Sequence, residues 1–140
     1  MRILIDTNIV LDVLLHRTDF FDASYNVLRL SILNKTEALV TANTITDIYY
    51  ILKRANKDNE KSREAIVQLL KLVSIADVLT SDIMNTLSSK VADFEDALLG
   101  TIAKRVKADC IVTRNTKDFH NSPVPAIDPK EFLVQFGSGE

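Results

Sequence analysis

The chain has 140 residues, 46% of them hydrophobic and 26% charged, with only three glycines, three prolines and a net charge of −2. That balance excludes a disordered linker, a collagen-like repeat and a protein that coats nucleic acid by bulk attraction, and it fits one compact domain spanning residues 1–140. The single cysteine, Cys110, has no partner for an internal disulfide, and the opening Met1-Arg2-Ile3-Leu4-Ile5-Asp6 meets an acid too early for a signal peptide. No apolar run approaches the ~20 residues of a spanning helix. The expectation is a soluble cytoplasmic protein with no membrane contact.

Arg2-Ile3-Leu4-Ile5 reads as a short buried strand that ends at Asp6. Asp6-Thr7-Asn8 offers helix caps, and Ile9 to Leu15 continues as an apolar helix. Phe21, Tyr25, Leu28 and Ile32 mark a second helix, and Glu37 to Thr41 a second strand. Ile45, Ile48, Tyr49 and Leu52 mark a third helix capped near Asn43 or Thr44. Polar residues 55–59 predict a loop, followed by a helix from about Lys61 to Leu72 and a short strand at Val73-Ser74-Ile75. A weaker helix lies near 81–89, and Asp93 caps a helix whose inner face carries Ala97, Leu98, Ile102 and Val106. Cys110 to Thr113 is a strand. Val124 to Ile127 is an edge strand because Pro125 cannot donate to a central ladder. Asp128, Pro129 and Glu131 open the last helix. Strands separated by helices imply a three-layer α/β/α fold around a parallel sheet of about five strands.

Charge is uneven. Residues 72–98 hold Asp77, Asp82, Asp93, Glu95 and Asp96 against Lys90 alone, and residues 99–120 hold Lys104, Arg105, Lys107, Arg114 and Lys117 against two acids. An acidic focus beside basic stretches suits a site that takes a cation and a polyanion, although solvated helix faces read the same way. In parallel α/β folds the ligand rim lies at the carboxyl ends of the strands, which brings Asp6, Asp47, Asp96, Asn115 and Asp118 into range of one another. Asp6 has a lesser reading as a helix cap and Asp47 as part of a polar stripe, Asp118 reads equally as a turn residue, and Asp12 as a surface acid or part of a helix interface. Glu95 reads as solvated. Crowded carboxylates need a proton or a cation, and oxygen donors without thiolate or paired imidazole favour Mg²⁺ or Mn²⁺ over zinc. His16 and His120 lack ligand spacing, Cys110 reads as a buried apolar residue, and no glycine-rich phosphate loop is present.

Ile3 to Asp12 resembles the opening motif of PIN domains, Phe94-Glu95-Asp96-Ala97-Leu98-Leu99 their third acidic motif, and Ile111 to Phe119 their closing strand and turn. The short form resembles VapC-type toxins, ribonucleases neutralised by a cognate antitoxin. The resemblance implies a Mg²⁺- or Mn²⁺-dependent endoribonuclease. Asp6 and Asp96 match the first and third metal-binding acids, and Asp47 the second catalytic acid, where the family usually has glutamate. Asn115 stands where many members have the fourth acid, with the metal-binding Asp118 three residues later. Thr7, Asn8, Asp93, Thr113 and Asn115 would support them, and Arg54, Lys104, Arg114 and Lys117 would contact RNA phosphates. It further implies a homodimer, to which the many apolar side chains of the first and third helices, Leu14, Leu15, Tyr49 and Tyr50, also point. The alternative is a weakened PIN-like module that binds RNA or protein without cutting. A phosphoryl-accepting domain built on Asp6 is disfavoured, because Asn8 stands where such a site needs a second aspartate.

Overall fold

A computed structural model describes residues 1–137. Its centre is a parallel sheet of five strands in the order β3-β2-β1-β4-β5, formed by β1 (Arg2–Ile5), β2 (Glu37–Thr41), β3 (Ser74–Ala76), β4 (Cys110–Val112) and β5 (Ala126–Ile127). All four pairings are parallel, with Leu4 opposite both Leu39 and Ile111. Seven helices cover the sheet: α1 (Thr7–Leu14), α2 (Phe21–Ile32), α3 (Ala42–Asn56), α4 (Asn59–Leu69), α5 (Thr80–Thr86), α6 (Phe94–Arg105) and α7 (Pro129–Phe136). The three-layer expectation holds.

The alternation of β1 decides which helix covers which face. Ile3 and Ile5 point into the larger core with Ile9, Val10, Val27, Leu28, Ile48, Leu69 and Phe132, under α1 to α4 and α7. Leu4 points the other way, onto Leu99 and Ala103 of α6 and Phe119. Both faces of β1 are sealed, so the strand reads as an uninterrupted apolar run. Pro125 precedes β5, which is indeed an edge.

The differences from the sequence reading have local causes. The third helix runs on to Asn56 and stops where Lys57 takes a left-handed conformation, φ 57°. Asp58 then accepts from Lys61 N–H and starts α4 at Asn59, so the expected loop shrinks to two residues. Strand β3 sits one residue later than expected, which turns Ala76 inward and leaves Ile75 exposed. Leu14 and Leu15 pack against the larger core and need no partner, while Tyr50 is 57% exposed. No described helix is long and apolar enough to cross a membrane.

The chain leaves β1 toward β2 and β3 on one side and returns to β4 and β5 on the other. Between β1 and β4 lies the switch point where parallel sheets open a crevice at their carboxyl ends. Asp6 closes β1, and Thr113 follows β4, side by side on that rim.

Candidate functional site

Asp6 serves as both cap and rim acid. Its Oδ1 accepts from Thr7 N–H at 2.8 Å, capping α1, while Oδ2 accepts from the Thr113 hydroxyl at 2.8 Å and from Asn8 Nδ2 at 3.3 Å. Its own N–H is bonded to Val112 O at 3.0 Å, tying the acid to the β1–β4 ladder. The Thr113 hydroxyl in turn accepts from Asn115 N–H at 3.0 Å, so one threonine connects the end of β1 to the turn after β4. Thr7 continues the polar network through Thr44 (3.3 Å) to Thr41 (3.0 Å), both buried.

The cleft above this rim has a volume of about 510 Å³ and brings Asp6, Asp47, Asp93, Glu95, Asp96 and Asn115 together. Asp93 caps α6 by accepting from Asp96 N–H at 3.1 Å. That cap turns the first helical turn so that Asp96 faces the rim. Asp118, on the 3₁₀ turn Thr116–Phe119, lines the adjoining groove with Asp96 and Asn115.

The acids feel one another. Burial pushes Asp6 above the usual carboxylate range, and the charge of Asp118 adds to the shift against the hydrogen bonds from Thr113 and Thr7. Asp96 is pushed up to about 6, first by burial and then by the charges of Asp93, Asp6, Asp118 and Glu95. These shifts register excess negative charge in a partly desolvated space. Among the described residues, no three acidic, histidine or cysteine side chains stand close enough to enclose an ion as they are placed. The donor chemistry nevertheless suits a hard cation. It consists of carboxylates, threonine hydroxyls and the buried Asn43 Oδ1, which lines the same cleft without a hydrogen-bond partner.

Two expectations are corrected here. Glu95 is exposed but does not face solvent alone: it lines the cleft, where the neighbouring Asp47, first through its carboxyl oxygen and then through its charge, raises its pKa. A carboxyl one bond longer thus stands opposite the position where aspartate replaces the usual glutamate. Arg114 is not free for phosphate: its guanidinium is taken up by Asp12, which is fully buried rather than a surface acid. Of the other expected phosphate contacts, Arg54 lines the acidic cleft, Lys117 the adjoining groove, and Lys104 a further cleft on α6. Cys110 is buried in the sheet with its thiol pushed up to about 11, as expected of an inert core residue. Arg17 and Tyr50 also stand at the cleft mouth, and nothing in their local sequence separates them from ordinary helix-surface residues.

A family model described as PIN domain matches residues 2–117. The chain belongs to the PIN-domain family. Among similar proteins, Ribonuclease VapC1 of Aquifex aeolicus (strain VF5) is 22% identical over 140 residues, covering 98% of this PIN domain and 96% of its own length. The crystal structure of VapBC2 from Rickettsia felis, bound to a promoter DNA fragment, superposes with a TM-score of 0.72 at 19% identity. The match covers 91% of this chain and 98% of that one. A toxin-antitoxin complex from Klebsiella pneumoniae superposes at 0.65 and 21% identity, over 90% and 96% of the two chains. These two structures share the PIN domain's fold.

Proposed function

We propose that this PIN domain is a Mg²⁺- or Mn²⁺-dependent endoribonuclease, acting in the cytoplasm as the toxin of a toxin–antitoxin pair. The observation that carries the reading is the electrostatic coupling of Asp6, Asp96 and Asp118 on one rim at the switch point of the sheet. The charge of Asp118 adds to the raised proton affinity of Asp6 and Asp96, an arrangement of acids from three separate segments that burdens the fold unless a cation uses it. The likeness to a ribonuclease over nearly the whole of both chains supports the substrate, and the toxin-antitoxin complexes among its structural neighbours support an antitoxin partner.

Asp6, Asp96 and Asp118 would hold the ion, with Asp47 and Glu95 facing them across the cleft. Held there, such an ion would contribute an acidified water and positive charge against the phosphate. The protein's own groups set the geometry. Thr113 and Asn8 fix the Asp6 carboxylate, and Thr113 also orients the turn that carries Asn115 and Asp118. Glu95, whose pKa is raised by the neighbouring Asp47, stands where it could give a proton to the departing 3′ oxygen. Arg54 at the cleft edge and Lys117 beside Asp118 meet the flanking phosphates. Hydrolysis of this kind leaves 5′-phosphate and 3′-hydroxyl ends.

We further propose that the protein is a homodimer. Ile83 and Met84 of α5 and Leu87 just beyond it are 37%, 61% and 67% exposed, apolar side chains on one short stretch that a second copy could cover. Incubation of the purified protein with defined RNAs and Mn²⁺, followed by mapping of cuts and end groups, tests the enzymatic reading. Binding of the same RNAs without any cleavage would overturn it in favour of the weakened binding module.

A further inference from the structure

The acidic cleft does not end at Asp96. It shares Asp93, Asp96 and Asn115 with the adjoining groove of about 470 Å³, which adds Lys117, Asp118 and His120. That groove shares Lys90 and Asn121 with a third cleft of about 670 Å³ on the far side, where Lys104 stands with Asn85 and Ser89. The three hollows share walls and lie in series, acidic at one end and basic at the other.

The basic end is built into the fold. Its one carboxylate, Asp82, is nearly fully buried and clasped by Arg105, Nε to Oδ1 at 2.8 Å and Nη2 to Oδ2 at 2.9 Å. Arg105 therefore cancels Asp82. Lys90 and Lys104 have no acidic partner within 4 Å among the described residues. Asn121 Nδ2 donates to Lys90 O at 3.4 Å, bridging the two loops that separate groove from cleft. Gly100, between Asp96 and Lys104 on one face of α6, lets the second loop press onto the helix. A Cβ there would fall 2.7 Å from Ser122 Oγ and 3.3 Å from Pro123 Cδ.

We propose that this far cleft is a phosphate subsite for the single-stranded RNA cut at the acidic end, with Lys90 and Lys104 each taking one backbone phosphate. The proposal rests on the nuclease reading above and names where its substrate is gripped. Lys104 lies two helical turns from Asp96, about 12 Å along the axis. That spans three to four phosphates at a stacked spacing of ~3.4 Å, so a polymer reaches both ends and a mononucleotide does not. An acid cluster repels RNA, so affinity has to come from phosphates outside it, and binding of such remote parts of a substrate positions the reacting bond.

The test compares wild type, Lys90→Ala/Lys104→Ala, and Lys35→Ala/Lys57→Ala outside the three hollows. The substrates are RNAs with one cut site and flanks of increasing length on either side, cleaved with Mn²⁺. For wild type, KM falls as one flank is lengthened. In Lys90→Ala/Lys104→Ala that gain disappears: KM for the long RNA rises about ten-fold, and its logarithmic salt dependence becomes shallower by about 1.4, two single-strand phosphate contacts. Lys35→Ala/Lys57→Ala keeps the wild-type KM and slope. Unchanged KM and slope in Lys90→Ala/Lys104→Ala would overturn the subsite. Fluorescence anisotropy with the same labelled RNA separates the two readings. Weaker, less salt-dependent binding by this variant, without cleavage by wild type, upholds the subsite and sinks the nuclease. Cleavage by wild type with identical binding by both proteins does the reverse.

Discussion

Arg114 grips Asp12 with both sides of its guanidinium, Nε to Oδ2 at 2.8 Å and Nη2 to Oδ1 at 3.0 Å, across 102 residues of sequence. Asp12 is fully buried, takes a further hydrogen bond from the Ser24 hydroxyl at 3.0 Å, and lies 3.4 Å from Arg17 Nη1. The guanidinium also stacks on Phe20, 3.8 Å from the ring centre. Arg114 sits between Thr113 and Asn115, so this clasp fixes the turn that completes the site.

Removing one partner of a buried, hydrogen-bonded ion pair strands the other charge. Asp12→Ala is expected to cost about 3–5 kcal/mol in urea unfolding. Arg114→Lys loses the two-pronged geometry and recovers only part of that stability. An Asp12→Ala protein as stable as wild type would show that the clasp holds nothing in place.

Asp96→Asn keeps shape and one carbonyl oxygen but removes a charge from the crowded rim. The expected outcome is a fall in cleavage rate by orders of magnitude and weaker Mn²⁺ binding, with the metal-free fold as stable as before or slightly more so. Glu95→Gln cannot serve as an inert comparison, since Glu95 lines the cleft with Asp47; Glu60→Gln on the exposed first turn of α4 can. Calorimetric titration with Mn²⁺ beside single-turnover cleavage separates loss of ion from loss of fold.

The pH dependence has a definite sign. A carboxyl whose folded pKa is raised, as for Asp96 at about 6 and for Asp6, holds its proton more tightly in the folded state. Its contribution is present below the unfolded value near 3.8 and is lost as pH climbs through about 6. Melting of the metal-free protein should therefore drop between about pH 4 and 6 and level off above that, and Asp96→Asn should flatten the drop. A wild-type profile that rises over this interval would mean that the carboxylates are not crowded in solution.

Divalent ions should reverse that loss. Millimolar Mn²⁺ binds only the assembled rim and raises the melting temperature, more at about pH 7 than at about pH 5, where protons compete for the same oxygens. A melting temperature indifferent to Mn²⁺ at both values would argue against an ion site among these acids.

Much of this architecture is legible in the order of residues alone. Ile3-Leu4-Ile5, Ala38 to Thr41 and Ile111-Val112 announce buried parallel strands because both faces are covered, and Pro125 marks the edge. Asp6, Asp96 and Asp118 stand out as rim acids because strand ends and helix starts are local signals. Glu95 and Arg114 escape such a reading for the opposite reason. Their roles depend on Asp47 arriving from α3 and on Asp12 from α1, and no local pattern records a neighbour 48 or 102 residues away.

The hydrogen bond from Thr113 to Asp6 joins the end of β1 to the residue after β4, 107 positions apart. At ordinary translation speeds of about 5–20 residues per second, roughly 5–20 s pass between the two ends leaving the peptidyl centre. Until β4 emerges and docks beside β1, Asp6 has neither its threonine donor nor the turn bearing Asp118. A growing chain therefore has no assembled acid rim until the segment after β4 is made, so whatever the rim does waits on that last docking step.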